Sequence, residues 1–400
     1  MKNIAMMKWL FVGLLFISLT SCMKDEFLES RSDMYMVIDH SKIQGEFSLS
    51  NVNIQLQEVN TQVTTAATLV TGADTAKANV TYGTYTATLE GDIKLTIDGE
   101  EKNMKVKARQ SNIVVNSEST TITLEMFLSD PAANFVIKEL FFTGTVNGTT
   151  QNNGDKYILL YNNSNDTLYA DGLFVAQSTF LTITKRAYTP DVMNEAFTTD
   201  QILMVPGTGK QHPVAPGGNY VIATNAIDHT KDWPNSLDLS TADLEIEMSN
   251  TANIDNPAVP NAINIAGSLF MHNQGYTSYV MGRFPEGMTT EKYLEENKYS
   301  YTYIAANGAV MTQHKFKIPN NYVIDAVNLS VKTGFEWIVT APELDMGWTY
   351  AGLMKVDKDR YGKAVRRKEF GSLENGKPLL KDTNNSTVDF DPAVKPSLMK

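Results

Sequence analysis

The sequence predicts a mainly β protein made of two consecutive β-sandwiches. Three observations predict it. Between residues 34 and 126, apolar residues recur at every second position in short runs, the pattern of half-buried strands. Ser129-Asp130-Pro131 breaks that pattern. The runs that follow, at 135–142 and 157–161, are apolar on both faces, as in central strands covered from both sides.

Composition fits this reading. The chain has 400 residues, 42% hydrophobic and 20% charged, enough for two or three domains with ample cores. The net charge of −11 excludes nucleic acid as a partner, because binding phosphates needs a concentrated cationic surface. The one basic cluster, 363–368, is short and reads as a solvated strand end.

The N-terminus reads as a targeting signal. Lys2 and Lys8 supply positive charge, and 10–19 is an apolar run about half the ~20 residues needed to span a bilayer. Leu19-Thr20-Ser21-Cys22 resembles a bacterial lipobox, so 1–21 is expected to be removed and Cys22, the only cysteine, lipidated. Acyl chains would anchor the protein stably, at about 0.8 kcal/mol per buried CH₂. Lys24, Asp25 and Glu26 are similar to the signal that sends Bacteroidetes lipoproteins to the outer face of the outer membrane. Residues 22–33 read as a tether. The resemblance implies an outer-membrane, lipid-anchored, surface-exposed protein.

The first sandwich is expected over 34–129. Alternation runs through Tyr35 and Val37, then Val52, Ile54 and Leu56, then Tyr85, Ala87 and Leu89. It resumes at Ile93, Leu95 and Ile97, at Met104, Val106 and Ala108, and at Ile122, Leu124 and Met126. Turn residues separate the runs at Gly72-Ala73-Asp74, Tyr82-Gly83-Thr84 and Asp98-Gly99-Glu100. Six or seven short strands in about 95 residues predict a small antiparallel sandwich. Gly83-Thr84-Tyr85 followed by alternation resembles prealbumin-like and carboxypeptidase-regulatory-like immunoglobulin folds.

The second sandwich is expected over 134–400. Phe135, Ile137 and Phe141 are assigned to one face and Val136, Leu140 and Phe142 to the other. Asn162-Asn163-Ser164-Asn165-Asp166 is a turn, and 168–175 the next strand. Gly154-Asp155-Lys156-Tyr157, Tyr161-Asn162, the Asn/Asp turn and Gly172-Leu173 resemble the opening of the lamin-tail domain, an immunoglobulin-like β-sandwich. Leu159 replaces that family's usual acid. Pro216-Gly217-Gly218-Asn219-Tyr220 matches its Pro-Gly turn, and Arg366-Arg367-Lys368 with 381–390 resembles its closing strands. The resembling patches are separated by insertions at 178–215 and 224–262, the second rich in Asp, Asn, Ser, Thr and Pro with short pairings such as Leu244-Ile246. Thr289–Asn297 reads as a short helix capped by threonine, with Glu291 in its first turn. Later strands are expected at 322–331, 337–339 and 349–355. The whole chain is also similar to uncharacterised Bacteroidetes lipoproteins of this layout, which implies no established activity.

No catalytic motif emerges. His40, His212, His229, His272 and His314 have no metal-ligand spacing. There is no G-x-S-x-G elbow, and Gly207-Thr208-Gly209-Lys210 lacks the first Gly and the Ser/Thr of a phosphate loop. Residues 382–391 are dense in oxygen ligands. They read as a turn pinning the last strand, with a hard-cation site at Asp382, Asn384 and Asp389 as the weaker alternative. Asp228, Asp232, Asp238 and Asp243 read as a solvated loop.

Aromatic residues are the other candidates. Trp233, Trp337 and Trp348, with Tyr301, Tyr303 and Tyr350, can line a ligand platform, since exposed rings stack on flat ligands and sugars. Trp337, beside Phe335 and Ile338, reads as core, so Trp233 in a polar loop is the better-placed contact. Asp74-Thr75-Ala76 and Asp166-Thr167-Leu168 resemble Bacteroidetes O-glycosylation sites, at Thr75 and Thr167.

The expectation is therefore a non-enzymatic surface lipoprotein without a cofactor. It would be a ligand-binding or accessory subunit working with a TonB-dependent transporter or another surface protein. The alternatives are a structural or adhesive surface protein and, third, a hydrolase with a divergent carboxylate pair.

Overall fold

The computed structural model describes residues 30–400 except 42, 44–45, 71–73, 98–99, 130–133, 165, 247–253 and 374. The segment read as a signal sequence, Cys22 and the export signal expected at Lys24, Asp25 and Glu26 lie outside the described residues. The protein is mainly β, consistent with β-sandwich architecture.

Eight strands form the first sheet: β1 (Arg31–Asp39), β2 (Glu46–Glu58), β3 (Thr64–Leu69), β4 (Thr75–Thr81), β5 (Gly83–Ile97), β6 (Glu100–Val115), β7 (Ser119–Glu125) and β8 (Phe127–Ser129). Their order is β7-β1-β4-β3-β2-β5-β6-β8. All neighbours are antiparallel except β1 and β7, which run parallel. One core takes residues from most of its strands: Met34, Met36 and Ile38 of β1, Ile54 and Leu56 of β2, Leu89 of β5, Val106 and Ala108 of β6, Ile122 and Leu124 of β7.

Two sequence readings change here. The core face of β1 is Met34, Met36 and Ile38, not Tyr35 and Val37. Both parities of this strand are apolar, so alternation alone could not choose. The Tyr35 ring instead lies under Lys77 Nζ, 5.2 Å from its centroid. The runs ending at Leu89 and starting at Ile93 are one strand, β5. Gly91 is the core-facing position between them, where a Cβ would lie 3.2 Å from Val52 Cγ2 and 3.4 Å from Val106 Cγ2. It is small for packing reasons and does not mark a turn.

The second half opens with β9 (Phe135–Phe141), β10 (Val146–Asn147), β11 (Thr150–Gln151), β12 (Tyr157–Asn162), β13 (Leu168–Tyr169), β14 (Leu173–Ser178) and β15 (Ala196–Met204). Then come β16 (Pro213–Val214), β17 (Asn219–Ala223), β18 (Leu244–Glu245), β19 (Ile263–Ala266), β20 (Ser278–Arg283), α1 (Thr290–Glu296), β21 (Lys298–Ile304), β22 (Val310–Pro319) and β23 (Val323–Asn328). The chain closes with β24 (Ala364–Arg367), β25 (Glu369–Ser372), β26 (Pro378–Leu380), α2 (Ser386–Asp389) and β27 (Phe390–Val394).

Two sheets dominate, ordered β18-β17-β12-β9-β24-β27 and β21-β22-β15-β14-β20-β23, with β19 also pairing β15. Ile137, Ile158, Leu160, Leu173, Val175, Leu203, Met281, Val327 and Val365 from both sheets share one core. The outer face of the first sheet (Phe141, Tyr157, Leu159) is covered by Leu237, Leu239 and Val259 of the 224–262 excursion. The outer face of the second (Phe174, Ala176, Val280) is covered by Tyr293 of α1. That double cover explains the two-faced apolar runs.

The facing of β9 differs from its simple alternation. A bulge opposite Leu159/Leu160 switches parity, so Phe135, Ile137, Leu140 and Phe142 face the inter-sheet core while Phe141 faces outward. The 178–215 segment also contains β15, an interior strand of the second sheet, so it is only partly an insertion. Leu244 pairs in parallel with β17, as the short pairing there predicts. The helix forms as expected, with Thr289 Oγ1 accepting from Lys292 N at 3.2 Å and Tyr293 fully buried. The expected strands at 337–339 and 349–355 are irregular. Isolated long-range bonds hold them instead: Trp337 N donates to Thr182 O (3.3 Å) and Thr349 N to Asn328 O (2.9 Å), while Trp337 Nε1 donates to Leu181 O (2.8 Å) and Thr184 O (3.1 Å).

Candidate functional site

The β21–β22 hairpin carries the feature best suited to meeting a ligand. Only 316–319 of β22 pair with β15, so residues 310–315 extend beyond the sheet paired only to β21. Alternation puts Tyr299, Tyr301 and Tyr303 on one face. The segment before β15 lies across that face. Tyr188 stacks on Phe180 (centroids 4.1 Å, 25°) and on Trp337 (5.9 Å, 27°). It meets Tyr301 and Tyr303 edge-on at 5.4 and 5.9 Å. Thr189 and Thr302 exchange backbone bonds of 2.9 and 2.8 Å, tying this segment to the hairpin. Tyr301 and Trp337 are buried, whereas Phe180, Tyr188, Tyr299 and Tyr303 are half-exposed. Arg186 lies over the Tyr303 ring at 4.8 Å and Lys185 over Trp337 at 5.9 Å. Burial raises the hydroxyl pKa of Tyr188 and lifts that of Tyr299 to about 12, so these rings remain neutral, hydrogen-bonding phenols. Ile304 and Val310 at the hairpin tip are 67% and 70% exposed.

Sequence reasoning named Trp337, Tyr301 and Tyr303 but missed Tyr299, on the same face of the same strand, as well as Phe180 and Tyr188. The last two sit in a segment without periodicity, and only the fold brings them to the hairpin. Trp348 and Tyr350 form a separate group: Trp348 stacks on Phe335 at 4.9 Å and 14°, and Tyr350 lies against it at 5.8 Å with its ring tilted by 48°. Trp233 joins neither group. It is half-buried, its amide bonds His229 O at 3.0 Å, and among the described residues it makes no ring–ring contact. Thr75 is half-exposed at the start of β4, and Thr167 is exposed beside β13.

The oxygen-rich 382–391 segment is built around an arginine. Arg367 is fully buried and donates from Nη2 to both Asp325 oxygens (2.8 and 2.7 Å) and from Nη1 to Asp382 Oδ1 (3.1 Å). Asp389 Oδ2 lies 3.7 Å from Nη1. Asp389 accepts from Thr383 N (2.7 Å), Thr383 Oγ1 (2.7 Å) and Asn385 N (3.2 Å), which makes the turn that holds β27. Asn384 Nδ2 turns away to Glu343 O at 2.8 Å. A guanidinium thus supplies the positive charge beside Asp382 and Asp389. Among the described residues no group of three His, Cys, Asp or Glu side chains is arranged to hold a metal ion.

Three other polar clusters are also internally satisfied. Asp171 accepts from Gly209 N (3.1 Å), Gln211 N (2.8 Å) and His212 N (2.8 Å), so a carboxylate already fills the Gly-rich loop's amide cradle. Burial pushes the Asp171 carboxyl up, but these amides outweigh it and hold it below its ordinary value. Asp155 accepts from Ser236 Oγ at 2.6 Å, and His229 faces Asn225 O (3.1 Å) and Asn152 (3.4 Å). Serine here bonds the acid directly and histidine does not link them, unlike a nucleophile–base–acid relay. In the third, burial lowers the Lys156 ammonium to about 8, with Nζ on Met271 O at 3.1 Å. Burial, with Lys156 and Arg360 nearby, lowers His272 to about 4. Asp228 and Asp238 cap Thr230 N and Ser240 N, and Asp243 accepts from Val221 N.

Residues 215–397 match a family described as protein of unknown function (DUF4876). The matched region holds the hairpin, Trp337 and the Arg367 cluster. Phe180 and Tyr188 lie before it. The crystal structure of a DUF4876 family protein from Bacteroides thetaiotaomicron VPI-5482 is similar at a TM-score of 0.58 and 23% identity. That match covers 92% of this chain and 96% of that one, and it shows a shared fold. The crystal structure of a "putative adhesin" from Bacteroides ovatus ATCC 8483 matches at a TM-score of 0.17 and 8% identity, over 74% of this chain and 84% of that one. A likeness that weak carries no argument. No curated protein matches the sequence.

Proposed function

We propose that this protein is a non-enzymatic lipoprotein of the outer-membrane surface, anchored through Cys22. In this reading the second sandwich presents the face formed by Phe180, Tyr188, Tyr299 and Tyr303 to a ligand. The observation that carries the reading is that face: four half-exposed rings over a buried Tyr301–Trp337 base, edged by Arg186 and Lys185. Rings held rigid by their neighbours lose little entropy on stacking with a flat ligand such as a sugar ring. The anchor and export signal support delivery to the surface, where an accessory subunit would work beside a TonB-dependent transporter. The lamin-tail-like reading belongs to the same proposal: β12, β17, β24 and β27, which carry or adjoin most of its resembling patches, lie in one six-stranded sheet, while Leu173 opens β14 of the other.

A structural or adhesive role is the second reading. The observation that favours it is the serial arrangement of two separate cores, one drawn from 34–126 and one from 135–390. Site-specific photo-crosslinking on intact cells separates the two. A crosslinker at Ile304, beside the aromatic face, is compared with one at Tyr82 on the first sandwich, which is 39% exposed. Capture of a transporter or a soluble ligand from 304 and not from 82 supports the binding reading. Equal capture of matrix or pilus components from both sites supports the adhesive one and counts against the first.

A further inference from the structure

Strand β6 places Val106 and Ala108 in the core of the first sandwich, so Lys105, Lys107 and Arg109 point to its other face. Lys105 is largely exposed there and pairs with Asp92. Lys107, on the same face, is only 3% exposed, so something outside its own core covers it. Among the described residues its Nζ has no hydrogen-bond partner. The charges around it are Asp382, Asp389 and Arg367 of the second sandwich and Glu90, its register partner on β5. Arg109, two residues on, is half-buried, within the electrostatic reach of Asp345, and donates from Nε to Ser111 Oγ at 3.1 Å.

The second sandwich has a deficit of positive charge at this place. Asp325, Asp382 and Asp389 share the single guanidinium of Arg367. Asp345 is fully buried, and its hydrogen-bond partners, Asn328, Gly347 and Ser386, are all neutral. Buried carboxylates in excess of their cations are costly unless further positive charge approaches. Lys107 and Arg109 are the cations that approach.

We propose that β6 is a docking surface whose partner is the carboxylate cluster of the same chain. Lys107 and Arg109 seat the first sandwich on the second, and the pair behaves as one body. The buried, unpartnered ammonium makes the seat specific, because Lys107 is tolerable only beside those carboxylates.

The test reads Lys107 directly, in the full chain. Limited acetylation with acetic anhydride followed by peptide mass spectrometry compares Lys107 with Lys105, two residues away on the same strand face. The seat predicts that Lys107 reacts roughly tenfold or more slowly than Lys105, as for a group reached only by local opening. Arg109→Glu, which leaves Lys107 unchanged, places a carboxylate against Asp345 and should raise Lys107 acetylation to the Lys105 rate. Arg109→Lys should keep it protected. Circular dichroism separates seat opening from misfolding, and Arg109→Ala serves as a milder opening variant should the charge reversal fail to fold. Equal acetylation of Lys107 and Lys105 in the unmodified chain would overturn the proposal. So would a folded Arg109→Glu or Arg109→Ala variant in which Lys107 stays protected.

Discussion

Replacing Asp345 with alanine should be among the most destabilising single changes in the second sandwich. Its carboxylate joins the end of β23 to the start of α2. It accepts from the backbone amides of Asn328 (2.9 Å), Gly347 (3.0 Å) and Ser386 (2.7 Å), from Asn328 Nδ2 (2.9 Å) and from the Ser386 hydroxyl. The hydroxyl can rotate to another acceptor. The three amides and the Asn328 amide group cannot. Each buried donor left without a partner costs about 1–3 kcal/mol. Burial also raises the carboxyl pKa, so removing the charge recovers part of that cost. A net loss of about 4 kcal/mol is expected for Asp345→Ala, a large share of the ~5–15 kcal/mol typical of a folded protein. In a domain of this size that corresponds to a fall of roughly 10 °C in melting temperature. Asp345→Asn keeps the shape but turns an NH₂ towards donors, and should lose about half as much. Urea unfolding followed by tryptophan fluorescence measures both. If Asp345→Ala stayed within about 1 kcal/mol of the unmodified protein, the argument from orphaned donors would be wrong.

Three further outcomes follow from other sites. His272 has a native pKa of about 4, below its ordinary value, so the native state favours the neutral ring. The stability it carries is complete above pH ~6.5 and is lost as pH falls towards 4, by up to about 3 kcal/mol; His272→Gln should flatten that part of a pH–stability profile, and an unchanged slope would contradict it. Gly282→Ala should destabilise by about 3 kcal/mol or more, because a Cβ there would lie 2.0 Å from Tyr322 O and 2.6 Å from Phe174 Cζ; wild-type stability in thermal melts would refute the packing described. Cys22→Ala should abolish fractionation with the outer membrane, and persistence in that fraction would remove the anchor from the account.

How much was legible depended on whether local pattern decided burial. In β2, β5, β6 and β7 the inward positions were readable because the outward ones are polar, as in Gln55 between Ile54 and Leu56. In β1 and β9 both parities are apolar, and facing was set by partners and a bulge that no local pattern encodes. The Thr289 cap was readable because capping is a local hydrogen bond. The irregular segments at 337–339 and 349–355 look like strands because they are apolar, and 337–339 and 349–352 are largely buried, but long-range bonds to 181–184 and to Asn328 satisfy them. The aromatic face was half legible for the same reason. Tyr301 and Tyr303 sit on an alternating strand, whereas Phe180 and Tyr188 reach it only through the path of the segment before β15. Oxygen-rich 382–391 read first as a turn and only second as a cation site, and nothing nearby in sequence revealed that Arg367 would lie against it.

The aromatic face is the centre of the functional account, and Tyr188, in contact with four other rings, is its hub. Affinity electrophoresis through gels containing soluble polysaccharides tests it most directly, with Tyr188→Ala run beside the unmodified protein. The account predicts retardation of the unmodified protein by at least one polysaccharide and loss of that retardation in a folded Tyr188→Ala variant. Equal retardation of both proteins, or none of the unmodified protein in any gel, would contradict it.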